Sequence, residues 1–78
     1  MQLEIITPDN KIYSGEVTLV QLPGKDGSFE ILKDHAAMIA ALKKGKMRIV
    51  EADKQVKFFE INGGVAEVLN NKILVLAE

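Results

Sequence analysis

The sequence predicts an all-β domain, an antiparallel sandwich or barrel. Short β-type runs alternate with turn-forming residues at nearly regular spacing along the whole chain. At 78 residues the chain is too short for a parallel βαβ array. Cysteine is absent, so neither a disulfide nor a thiolate metal site staples the fold. Hydrophobic packing must hold it, with room for help from a partner. A chain of this length buries only about 60–65% of its unfolded surface, so the core is thin.

Residues 2–7 form the first run, apolar and β-branched, closed by Pro8-Asp9-Asn10. Proline presets φ there, and the Asp and Asn side chains bond their own backbone. A short strand at 11–14 ends at Gly15, and 16–22 follows, rich in Val, Leu and Thr. Pro23-Gly24-Lys25-Asp26-Gly27 is a loop, 28–32 a short strand, and Gly45 precedes a strand at 46–52. Asp53-Lys54 reads as a tight two-residue turn into 55–61. Asn62-Gly63-Gly64 is a turn or bulge, since glycine takes positive φ without steric cost. Strands at 65–69 and 72–77 flank Asn70-Asn71, and Asn is the best non-glycine residue for positive φ. Residues 34–45 are ambiguous. Asp34 as N-cap, Met38, Ile39 and Leu42 on one face, Lys43-Lys44 at the end and Gly45 beyond describe a helix. A strand through 38–42 would instead join the surrounding sheet.

Successive strand side chains point to opposite faces, so a strand with one wet face should alternate apolar and polar. Several strands break this rule. Val17 and Leu19 point one way, Val20 and Leu22 the other; Val56 and Phe58 oppose Phe59 and Ile61; Met47 and Ile49 oppose Val50 and Ala52; Ile73 and Val75 oppose Leu74 and Leu76. So small a domain cannot enclose both faces of so many strands. Apolar side chains must emerge outside, and contiguous exposed apolar area marks a surface built to be packed against something.

The sequence offers little for catalysis. His35 is the only histidine, which excludes a two-histidine metal site. Ser14 or Ser28 with His35 and Asp26 or Asp34 lacks a nucleophile elbow and triad spacing; His35 is better read as bonding loop backbone or packing at an interface. The loop from Pro23 to Ser28 lacks the spacing and following helix of a phosphate loop. Lys43, Lys44, Lys46 and Arg48 form a basic run that a small β-barrel could use on single-stranded nucleic acid. Such barrels add exposed aromatics for stacking, and aromatic content is only 5%. Ten Lys and Arg against eleven Asp and Glu give a net charge of −1, too little for a whole-molecule field that gathers nucleic acid. The acidic residues Glu4, Glu16, Glu30, Glu51, Glu60 and Glu67 stand mostly singly within strands, as solubility and edge-protecting positions. No stretch approaches the ~20 apolar residues that span a bilayer, and Met1-Gln2-Leu3-Glu4 lacks the basic start of a secretory signal. The expectation is a soluble or peripheral cytoplasmic protein.

From Leu22 onward a pattern emerges: L-P-G-x-x-G-x-x-x-I-L-x-x-H-A over Leu22 to Ala36, then Ala41-Leu42-Lys43, Gly45 and Arg48-Ile49-Val50. Phe58-Phe59, Gly63-Gly64-x-x-Glu67-Val68, Asn71-Lys72 and Val75-Leu76-Ala77 continue it, and Leu3 to Pro8 and Tyr13 to Val17 extend it upstream. This resembles the epsilon subunit of F-type ATP synthase (delta in mitochondrial naming) over the whole length. The resemblance implies a two-sheet antiparallel β-sandwich of about ten short strands, five per sheet, occupying residues 1–78 as one domain. It also replaces the helix with a turn at His35-Ala36 and a strand through Leu42.

By the same resemblance the chain is a non-catalytic rotor subunit at the foot of the central stalk. It would couple rotation of the proton-driven c-ring, through the gamma subunit, to the catalytic head, peripheral at the cytoplasmic face of the membrane. No cofactor, metal or catalytic residue is implied. Lys25, Asp26, Gly27, Ser28 and Glu30 would face the c-ring; His35, Ala36, Met38, Ile39, Ala40 and Leu42 would lie at the gamma contact. The chain departs from the family pattern at Ser28, where many members have an acid, at Glu30, where they have Gly, at Lys33-Asp34, where they have Pro-Gly, and at Ala37, where they have Pro. Most members continue beyond the position of Glu78 into an inhibitory two-helix hairpin. A chain complete at Glu78 would lack that inhibition and the nucleotide binding some bacterial hairpins carry.

Overall fold

The computed structural model describes residues 1–78. It contains six strands and no helix: β1 (Gln2–Ile6), β2 (Lys11–Gly24), β3 (Gly27–Leu32), β4 (Met38–Glu51), β5 (Val56–Leu69) and β6 (Lys72–Ala77). Residues 34–45 therefore form no helix: a strand begins at Met38, as the resemblance implies, but the turn falls at Lys33-Asp34, where the His35 N–H donates to the Leu32 carbonyl at 3.1 Å, and not at His35-Ala36. Local helix propensity there loses to pairing with two neighbouring strands.

The strands pair in the order β1-β6-β5-β4-β2-β3, and β1 also pairs with β2, so five strands close a ring. Closure leaves two stacked layers, because each 14-residue strand bends from one into the other. Residues 11–16 of β2 pair with β1, whereas 17–24 lie between β3 and β4. Residues 64–69 of β5 pair with β6 and β4, whereas 56–61 pair with β4 alone. The first layer holds β1, β6, the start of β2, the end of β5 and the start of β4. The second holds β3 and the remaining halves of β2, β4 and β5. The expected ten short strands are thus six, because Gly15, Gly45 and Asn62-Gly63-Gly64 bend continuous strands instead of ending them. One pairing also departs from the antiparallel expectation: β1 runs parallel to β6, from Gln2↔Lys72 to Ile6↔Leu76.

Turn chemistry follows the sequence closely. Asn70 and Asn71, with φ of 50° and 60°, form a two-residue I′-type turn closing Leu69↔Lys72. The loop expected over Pro23 to Gly27 is shorter: Pro23 and Gly24 stay in β2, paired with Ser28 and Gly27, and only Lys25-Asp26 connect the strands. The β4–β5 connection is longer than the two residues expected: the Glu51 N–H donates to the Gln55 carbonyl at 2.8 Å, and Lys54 takes φ 73°. That geometry is the three-residue alternative, with its left-handed position at Lys54.

Burial explains the broken alternation. Val17 and Val20 are both buried although three residues apart, because the register with β4 slips between Val17 and Leu19. This bulge separates Val17 from Leu19, which do not share a face as expected. On β4 and β5 the inward set changes together: Leu42, Ala66 and Val68 are buried in the first layer, Met47, Ile49 and Ile61 in the second. Even-numbered residues face in on one side of the crossing and odd-numbered on the other. Gly63 (φ 135°) and Gly64 (φ 140°) sit at this reversal. Leu3, Ile5, Leu22, Ile31 and Val75 complete the centre of the core, and no polar side chain is buried.

Tyr13 seals one end. Its hydroxyl donates to Glu51 Oε2 at 2.6 Å, and its ring meets Phe59 edge-on at 5.4 Å. Desolvation and the hydrogen bond to Glu51 push its pKa from 10.0 up to about 12. The folded state then holds a proton that the unfolded state releases first. Stability is unaffected below pH 10 and falls as pH rises toward 12. As the chain has 1 Tyr, its phenolate absorbance titrates this group alone; a midpoint at the ordinary tyrosine value would contradict the Tyr13–Glu51 bond.

Candidate docking surfaces

The outer face of the first layer carries an apolar file set by strand register. Ala41 stands opposite Val65, Val65 opposite Leu76, and Leu76 opposite Ile6. Registered neighbours share a face, so one row of aliphatic side chains crosses four strands. Val65 is 39% and Leu76 50% exposed. Ile39, 74% exposed, extends the patch along β4. Glu67 faces Ile39 in the next row, and Lys11 pairs with Glu4 at 3.4 Å near the far edge. An aliphatic centre with a charged rim is the build of a protein interface.

The gamma-contact residues taken from the resemblance lie at one end of this file. Ala36 and Ile39 are exposed; His35, Met38 and Ala40 are half-buried. Leu42 points into the core at 2% exposure, so it backs the surface from beneath. Their segment is tied down by a reciprocal clasp: the Asp34 N–H donates to Asn71 Oδ1 at 2.7 Å, and Asn71 Nδ2 donates to Asp34 Oδ1 at 3.0 Å. His35 Nδ1 donates to the Ala36 carbonyl at 2.8 Å, the loop-backbone bond expected for it.

Lys25, Asp26, Gly27 and Ser28, which the resemblance would turn toward a c-ring, form the exposed tip of the β2–β3 hairpin. Gln21 Nε2 donates to Ser28 Oγ at 3.1 Å, and Glu30 lies 3.6 Å from Arg48. The tip and the start of β4 face each other across a cleft of about 570 Å³, lined by Lys25 to Phe29 and by Met38 to Ala41. The Lys25 N–H donates to the Ala41 carbonyl at 3.0 Å, fixing their separation. The fold therefore brings the two sets together at one end of the sandwich.

Sequence reasoning missed Ile6, Val65 and Leu76 as one surface. Broken alternation in 72–77 signalled outward aliphatics, but the parallel β1–β6 register that aligns Ile6 with Leu76 has no local signature. No group of three or more His, Cys, Asp or Glu gathers in a geometry for a metal ion, and no helix is long and apolar enough to cross a membrane.

Comparison with known proteins agrees with this architecture. The family described as "ATP synthase, Delta/Epsilon chain, beta-sandwich domain" matches residues 1–78. An ATP synthase epsilon chain of Chlorobium limicola is 49% identical over 77 residues, covering 99% of this chain and 88% of that relative. An ATP synthase epsilon chain of Sulfurimonas denitrificans is 44% identical over 78 residues, of which the chain spans 60% of the relative's length. A chain in the cryo-EM structure of the Euglena gracilis mitochondrial ATP synthase (OSCP/F1/c-ring) superposes with a TM-score of 0.87 at 18% identity, over 96% of this chain and 48% of that one. The protein with its ring of bent strands and two sheet layers belongs to the ATP synthase delta/epsilon chain family.

Proposed function

We propose that the chain is a non-catalytic rotor subunit of a proton-translocating F-type ATP synthase, joining the gamma subunit to the c-ring. The carrying observation is the aliphatic file Ala41–Val65–Leu76–Ile6 beside Ile39, a half-exposed apolar surface on a small domain with no buried polar group to spend on specificity. Gamma would cover this file together with His35, Ala36 and Ile39, with Met38, Ala40 and Leu42 on the inward side of β4 as support. Tight apolar packing suits a permanent joint. The hairpin tip, Lys25, Asp26, Gly27 and Ser28 with Glu30, would meet the polar loops of the c-ring. Polar, water-tolerant contacts suit a ring of repeated subunits. The Arg48 pairing partly neutralises Glu30, the position at which the chain departs from the resembled pattern by carrying a carboxylate.

In this reading residues 1–78 act as one stiff sandwich. Torque passes through the first-layer face, and the chain is peripheral at the cytoplasmic side of the cell membrane. Mixing it with its cognate gamma subunit is expected to give a 1:1 heterodimer in gel filtration. A chain that elutes as a monomer beside folded gamma would contradict the proposal.

A further inference from the structure

Asn62 stands where β5 is least tied to its neighbour. The pairing of β4 with β5 runs from Met38↔Val68 to Val50↔Val56 with one rung missing, at Lys44 and Asn62. Asn62 is exposed, and its side-chain amide makes no hydrogen bond. Gly63 and Gly64 follow it, with φ of 135° and 140°. Among the asparagines at 10, 62, 70 and 71, Asn62 alone precedes a glycine.

That pairing carries its own chemistry. The backbone nitrogen after an asparagine can attack the side-chain carbonyl carbon and close a five-membered imide. A Cβ on the attacking residue obstructs the approach. Glycine has none, and its backbone turns freely toward the attack. The missing rung leaves residue 62 with less of the ladder to break when it rotates. The nitrogen attacks once it has lost its proton, and cationic neighbours favour that anion. Lys43 stands opposite Gly63, and neither Lys43 nor Lys44 is spent on an ion pair. Asn71 is the contrary case. Lys72 follows it, and its amide is clasped to Asp34 in both directions, at 2.7 and 3.0 Å.

We infer that Asn62 is a site of spontaneous deamidation. The Gly63 nitrogen bonds to Asn62 Cγ, the Cγ–Nδ2 bond breaks, and ammonia leaves carrying the proton that Gly63 gave up. Water then opens the imide at either carbonyl. One opening gives aspartate, and the other gives isoaspartate, with the chain rerouted through Cβ. Aspartate sets a carboxylate near Lys44. Isoaspartate adds one carbon to the main chain of β5 between Ile61, buried in the second layer, and Ala66, buried in the first. The two halves of the strand then cannot both keep their register with β4. The Gly63 carbonyl, which accepts from the Glu78 N–H at 3.0 Å, moves with the lengthened chain. This site does not depend on the gamma or c-ring contacts.

The test is incubation of the folded chain at physiological pH and temperature, then tryptic digestion and fragment-ion sequencing. Asn62, Asn70 and Asn71 fall in one tryptic peptide, Phe58 to Lys72, so each serves as a control for the others. Asn62 is expected to convert about tenfold faster than Asn70 or Asn71, giving two products of equal mass. The aged sample should gain a second melting transition at lower temperature. Asn62→Gln closes that ring far less readily and should abolish both the conversion and the second transition. Conversion of Asn70 or Asn71 as fast as Asn62 would overturn the inference. So would an Asn62 left intact over the time in which half of a urea-unfolded sample converts.

Discussion

Gly64→Ala is expected to destabilise the domain by about 3 kcal/mol or more, a large part of the ~4–12 kcal/mol typical for a chain this long. Two effects act together. Gly64 has φ 140°, outside the range an L side chain accepts readily. A Cβ there would also collide with the Leu76 carbonyl oxygen and come within 3.1 Å of Ala77 Cα. Neither obstacle is a side chain that can turn away: both belong to β6, fixed by its pairing with β5 and β1. The site is where β4 and β5 exchange their inward faces, so a shift there disturbs both layers. Gly27→Ala is the control. Its φ is 129°, but nothing lies within 4 Å of an added Cβ, so it should cost only about 1 kcal/mol. Thermal melts of the two variants separate them: a drop of at least ~12 °C for Gly64→Ala against ~4–8 °C for Gly27→Ala. Equal drops would mean that backbone conformation alone matters and that the close approach of β5 to β6 does not.

The second large effect concerns gamma. Ile39→Lys combined with Leu76→Lys places two charges on the first-layer face. Ile39 is 74% exposed and stands opposite Glu67, and Leu76 is half exposed, so the isolated domain should lose no more than about 1 kcal/mol. In a complex both ammonium groups would be buried, and the one at position 76 would have no partner, at a cost of several kcal/mol. Binding to gamma is therefore expected to weaken at least about a hundredfold while the melting curve hardly moves. Isothermal titration with gamma, read beside a thermal melt, checks both halves. Unchanged affinity would place gamma elsewhere.

Local chemistry made most of the architecture legible. Asn70-Asn71 marks a turn because few residues accept positive φ, Gly27 ends the Lys25-Asp26 turn for the same reason, and at Pro8-Asp9-Asn10 the Thr7 N–H donates to the Asn10 carbonyl at 2.8 Å. Gly45 and Gly63-Gly64 were harder. The same residue type serves a turn or a bend, and only pairing across the whole of β4 and β5 distinguishes the two. The bulge between Val17 and Leu19 was likewise hidden, since it is a mismatch between strands. The helix-like stretch from Asp34 to Gly45 shows why local propensity alone could not decide: its residues suit a helix, but β2 and β5 offer them backbone partners. For the candidate surfaces, the unalternated strands announced outward aliphatics, and Leu76, Val56 and Phe58 are indeed exposed. Their grouping into files depends on register between strands distant in sequence, above all the parallel β1–β6 pair.

The measurement closest to the central claim is solvent exposure of methyl groups in the gamma-bound chain. With a soluble paramagnetic agent, the methyl signals of Ile6, Ile39, Val65 and Leu76 should broaden in the free protein and be protected once gamma binds. Val56 and Leu32, on the opposite face, should broaden equally in both states. If Val65 and Leu76 stay as open to the agent in the heterodimer as in the free chain, the first-layer file is not where gamma packs.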